Sequence, residues 1–80
     1  MDRIEKFLRK LDPERFAKVR AVQLAIERND LAGLDVKPYK GQSGMFRCRT
    51  GDIRILFVRA TTGENIIVDI DFRGNIYKKH

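Results

Sequence analysis

The sequence predicts an α+β fold: an N-terminal helical hairpin packed on one face of an antiparallel β-sheet. Apolar residues recur at helical spacing through the first third of the chain and at strand spacing thereafter. Short breaks rich in Gly, Asp and Thr divide the second part into runs that can fold back on one another as a meander. Eighty residues can bury one modest core, so residues 1–80 are read as a single domain without a deep substrate cavity.

Ile4, Phe7, Leu8 and Leu11 fall at i, i+3, i+4 and i+7, an apolar stripe on a charged helix. Asp12-Pro13 ends it and starts the next, with Asp12 as N-cap and Pro13 at the first helical position, where its missing N–H is harmless. The second stripe is Phe16, Val19, Val22 or Gln23, and Ile26, ending near Asn29-Asp30. The two stripes cannot form a sufficient core alone, and a sheet is their expected cover.

Strands are expected at Val36 to Tyr39, Met45 to Arg49, Ile53 to Arg59 and Asn65 to Phe72. A four-residue loop at Thr50 to Ile53 sets Arg49 opposite Arg54, Cys48 opposite Ile55, Arg47 opposite Leu56 and Phe46 opposite Phe57. A second such loop at Thr61 to Glu64 pairs Ile53 with Phe72, Ile55 with Ile70, Phe57 with Val68 and Arg59 with Ile66. Together these registers place Phe46, Cys48, Ile53, Ile55, Phe57, Ile66, Val68, Ile70 and Phe72 on one face for the helices to cover, with Arg59 at the rim. The opposite face carries Arg47, Arg49, Arg54, Asp69, Asp71 and, if the strand continues, Arg73.

Arginines facing one another weaken a sheet. Their concentration points to an anion held there, phosphate first, because guanidinium binds it bidentately. The competing explanation is an ordinary Arg54–Asp71 cross-strand ion pair on a solvated face. Lys37 and Lys40 add positive charge near the sheet edge, or serve only to discourage aggregation. Seventeen Lys plus Arg against eleven Asp plus Glu give a net charge of +6, which favours an anionic partner. A membrane is the weakest such partner, since no apolar run approaches the ~20 residues of a spanning helix and no apolar leader opens the chain. A single cysteine, Cys48, excludes an internal disulfide and a cysteine zinc cluster, and suggests a cytoplasmic protein. Cys48 is expected in the core. His80 is the one histidine, so metal catalysis lacks obvious ligands, and neither metal nor cofactor is expected.

The stretches Leu34 to Gly41, Phe46 to Phe57 and Ile66 to Tyr77 resemble the RelE/ParE superfamily of toxin–antitoxin toxins, and the resemblance spans nearly the whole chain. Its most specific part is an R-x-R-x-G-D-x-R-(I/L)-(I/L)-(F/Y) hairpin followed by R-G-x-I-Y. The resemblance implies the same helical hairpin on an antiparallel sheet, and a cognate acidic antitoxin as partner. RelE-like members cut mRNA in the ribosomal A site; ParE-like members inhibit DNA gyrase and are not nucleases. Arg47, Arg49, Arg54, Arg73 and Tyr77 match the RelE-type set, which favours that branch over a gyrase inhibitor or a binding module that has lost activity.

The implied reaction is metal-independent attack of a ribose 2′-hydroxyl on the adjacent phosphate. Arg54 and Arg73 would hold the phosphate, Arg47 and Arg49 orient the substrate, and Tyr77 transfer a proton or stack on a base. The family more often has lysine at the Arg47 and Arg49 positions, which leaves the general base unassigned; His80 alone has an unperturbed pKa near neutrality. Family members also commonly open with a β-strand, whereas here Met1 leads directly into helix. Either this is a short variant or residues are missing upstream; the sheet is then expected to expose an extra edge open to an antitoxin segment.

Overall fold

A computed structural model describes residues 3–41 and 44–72. Two helices, α1 (Arg3–Arg9) and α2 (Pro13–Glu27), precede four strands: β1 (Asp35–Pro38), β2 (Met45–Thr50), β3 (Ile53–Arg59) and β4 (Asn65–Phe72). The strands form one antiparallel sheet in the order β1-β2-β3-β4. This is the expected architecture. Asp12 caps α2 as its sequence context requires, its carboxylate accepting the Arg15 backbone N–H at 3.3 Å. At the other end Asn29 adopts φ 59°, a left-handed conformation that asparagine tolerates and that stops the helix.

The core lies between the helices and one sheet face. Phe7, Leu8, Val19 and Ile26 meet Cys48, Ile53, Ile55, Phe57 and Ile70, with Ile4, Leu11, Val22, Val36, Phe46 and Ile67 packed around them. Phe46 stacks on Phe57 at 5.5 Å between ring centroids, and Phe7 meets Phe72 edge-on at 5.3 Å. Phe16, expected in the core, is 41% exposed. The buried residues of α2 are Val19, Gln23 and Ile26, with Val22 packed beside them, and Phe16, though only about 20° round the helix from Gln23, lies in the first turn, ahead of all of them.

The β2–β3 register is as expected, although Thr50 and Ile53 also pair. The loop is therefore the two-residue turn Gly51-Asp52, with Gly51 at φ 58° as tight hairpin turns require. β1 begins one residue earlier than expected, at Asp35, and ends at Pro38. β4 departs more. Arg59 pairs with Asn65, Val58 with Ile66 and Phe57 with Ile67, and only beyond a bulge between Leu56 and Phe57 do the expected pairs Ile55–Ile70 and Ile53–Phe72 appear. The expected Phe57–Val68 and Arg59–Ile66 pairs are absent. Residues 60–64 form a five-residue loop in place of a four-residue one, closed by the Ala60 N–H donating to the Glu64 carbonyl at 2.8 Å. The extra loop residue shifts the register by one, and the bulge restores it. Ile67 thus packs on the core, while Ile66 and Val68, expected there, are 48% and 43% exposed.

The displaced end of β4 is fastened by polar contacts. The Asn65 Nδ2 donates to the Ile26 carbonyl and to Asn29 Oδ1, both at 3.0 Å. Arg59 donates to Asn65 Oδ1 and Asn29 Oδ1 and lies over the Phe46 ring, which places it at the rim as expected. Asn65 is buried, so these bonds replace the water it loses.

Candidate functional site

Strand alternation assembles the face opposite the helices from three parallel rows. The first runs Asp35, Arg49, Arg54, Asp71 across all four strands; the second runs Lys37, Arg47, Leu56, Asp69; the third runs Met45, Val58, Ile66. Arg47, Arg49 and Arg54 are therefore brought together as the alternation requires. Arg73 and Tyr77, and likewise His80, lie outside the described residues.

The first row explains how the sheet tolerates opposed arginines. Arg49 and Arg54 are direct neighbours, yet each has an aspartate directly across on its other side, Asp35 and Asp71 respectively. Part of the anionic complement is thus internal. The second row is different: Arg47 stands between Lys37 and Leu56. Its Nη1 is buried and, among the described residues, has no hydrogen-bond partner. A buried donor without an acceptor is costly, and an incoming anion would satisfy it.

This face is not the solvated surface that the competing explanation requires. Arg54 is 7% exposed, Asp71 8%, Asp69 3% and Leu56 0%. Arg49 is exposed and Arg47 half-buried, so the row presents an open guanidinium beside a sheltered one. Such shelter strengthens charge interactions relative to open water.

Arg3 was not anticipated in this site. From the first turn of α1 its Nε lies 3.4 Å from Asp69 Oδ1 and its Nη2 donates to Asp71 Oδ2 at 3.2 Å. An apolar stripe says which side of a helix meets the core, but not where a long side chain at its end will reach. A second unforeseen contact holds the hairpin tip: Arg15 donates from Nε and Nη2 to the two oxygens of Asp52, at 3.3 and 3.0 Å. Asp52 and then Asp12 push the Arg15 pKa above its usual value. The backbone N–H of Arg15 chiefly holds the Asp12 carboxyl below its own.

Cys48 points the other way, into the core, and is fully buried. Burial, and then the charge of Asp35, push its thiol up to about 11, so it is a neutral packing group at physiological pH. Among the described residues no helix is long and apolar enough to cross a membrane.

No protein-family model and no curated protein matches the chain. Among solved structures it is similar to a chain of the RelB–RelE antitoxin–toxin complex from Methanococcus jannaschii, with a TM-score of 0.76 and 21% identity. The match covers 99% of this chain and 94% of that one. The two helices followed by a four-stranded antiparallel sheet are the RelE-like toxin fold.

Proposed function

We propose that this protein is the toxin of a type II toxin–antitoxin pair and acts as a metal-independent endoribonuclease on mRNA in the ribosomal A site. The fold supports a toxin, and the observation that carries the chemistry is the buried, unsatisfied Arg47 Nη1 beside Arg49 and Arg54 on one sheet face. Phosphate supplies the acceptor that this face lacks at Arg47. The 2′-hydroxyl oxygen attacks the adjacent phosphorus as its proton leaves to a base. The bond from phosphorus to the 5′ oxygen breaks, and that oxygen takes up a proton. The products are a cyclic phosphate and a free 5′-hydroxyl.

Arginine remains protonated and cannot be the base. Its part is to neutralise charge gathering on the phosphorane, with Arg54 central and Arg47 and Arg49 orienting the strand. By resemblance Arg73 joins Arg54 at the phosphate, and Tyr77 transfers a proton or stacks on a base. A cognate acidic antitoxin would cover this face and supply carboxylates to its arginines, in a complex that weakens as salt rises.

The burial of Arg54 across from Asp71 fits a pair that holds the sheet as well as it fits a phosphate ligand, which leaves room for a second reading in which the toxin blocks DNA gyrase without cutting RNA. Mapping mRNA 5′ ends after induction separates the two. New ends within codons, lost in Arg54→Ala, support the nuclease. Growth arrest with intact mRNA and damaged DNA supports the gyrase inhibitor and overturns the nuclease.

A further inference from the structure

We propose that Arg3 is a positioning residue that sets the charge of the arginine row, keeping Arg54 attractive to an anion. The inference rests on reading this face as an anion site, and it concerns a residue on a different element. α1 packs Phe7 and Leu8 into the core on one side of the sheet. Asp69 and Asp71 belong by register to the other side, so the Arg3 guanidinium reaches them round β4, the outer strand of the described sheet.

The local charge depends on this reach. Asp71 is the direct cross-strand neighbour of Arg54, and Asp69 lies one row along beside Leu56. Both carboxylates are buried, whereas the Arg3 side chain is 53% exposed. Arg3 adds a second guanidinium, after Arg54, beside these two carboxylates. Without it the two acids beside Arg54 lose a neighbouring positive charge, and an approaching phosphate meets a less attractive field in sheltered surroundings where charge acts strongly. Arg3 need not touch the anion to have this effect.

Inorganic pyrophosphate is a suitable probe, titrated into the full chain while the Arg54 Nε–H resonance is followed by NMR. The parent protein should bind it with a shift at Arg54, and Arg3→Gln should bind roughly three- to tenfold more weakly. Arg3→Lys, which keeps the charge, should retain most of the affinity. Combining Arg3→Gln with Asp71→Asn should restore binding to within about twofold of the parent. A purely structural Arg3 predicts no such recovery. Should Arg3→Gln fail to fold, Asp71→Asn alone decides, because it must bind pyrophosphate more tightly than the parent. Parent-like binding by Arg3→Gln, no recovery in the folded double variant, unchanged binding by Asp71→Asn, or no Arg54 shift in the parent would each overturn the inference. Arg3-dependent binding in a protein that cuts no RNA would instead remove the nuclease reading and leave this one standing.

Discussion

Ile55, Phe57 and Ile70 point from the sheet toward the helices and are fully buried; Arg54, Leu56 and Asp71, adjacent to them in sequence, point the other way and are nearly as dry. The first face is held by apolar contact, which needs shape but no particular partner. The second loses water at low cost where a charge faces an opposite charge, as in the Asp35, Arg49, Arg54, Asp71 row and the reach of Arg3, and at higher cost at Arg47, whose buried Nη1 has no partner among the described residues. One face therefore supplies stability. The other supplies a fixed arrangement of charge, the requirement for stabilising a transition state.

Truncating a buried residue on each face in turn tests this division of labour most strongly. Phe57→Ala should cost about 3–5 kcal/mol and Leu56→Ala about 2–5 kcal/mol, read from urea midpoints. If Leu56→Ala unfolds with the parent while Phe57→Ala does not, the second face is not a packed layer and the charge argument loses its dry surroundings.

Arg54→Ala comes next. Read from sequence alone, Arg54 is a surface arginine whose removal spares the fold; at 7% exposure, opposite a buried Asp71, its loss should destabilise by about 1–3 kcal/mol. Loss of RNA cleavage must then be measured on protein shown to be folded. An Asp71→Ala variant that matches Arg54→Ala in both stability and cleavage would assign the pair a structural role alone.

Much of this was legible beforehand, for reasons that differ along the chain. The β2–β3 register could be read because Arg47, Cys48, Arg49 and Ile53, Arg54, Ile55 alternate sharply, so a slip by one residue would bury arginines in the core. Ile66, Ile67 and Val68 offer no such contrast, and any of them could face inward. Only the loop length decides between them, and a five-residue loop is one longer than the sequence suggests. Asp35 escapes a strand read from Val36 onward, although an acid facing Arg49 is what that row needs. Arg3 left no local signal at all, since its partners lie 66 and 68 residues away.

Cys48 tests the apolar face by pH. Its thiol is raised from 9.0 to about 11 in the fold, first by burial and then by Asp35, so the folded state favours the protonated form. The contribution is complete below the unfolded value and is lost as pH rises from about 9 towards about 11, amounting to about 1 kcal/mol by about pH 10. Cys48→Ala should flatten that part of the alkaline stability profile relative to the parent. Equal slopes would mean the thiol reaches water more readily than its full burial implies.

The smallest expected effect distinguishes the two registers of β4. With the bulge, Val68 and Ile66 face outward, so Val68→Thr and Ile66→Thr should each change stability by no more than about 0.5 kcal/mol. Ile67→Ala should cost about 2–5 kcal/mol, because Ile67 is the residue that packs on the core opposite Phe57. The unbulged register reverses the order at two positions: Val68→Thr would place a hydroxyl against Phe57, while Ile67 would lie on the open side and tolerate alanine. Thermal melts of the three variants therefore read the register directly. A costly Val68→Thr beside a neutral Ile67→Ala would restore the regular strand and move Asn65 away from Arg59, undoing the Asn65 contact with α2 that the shifted register allows.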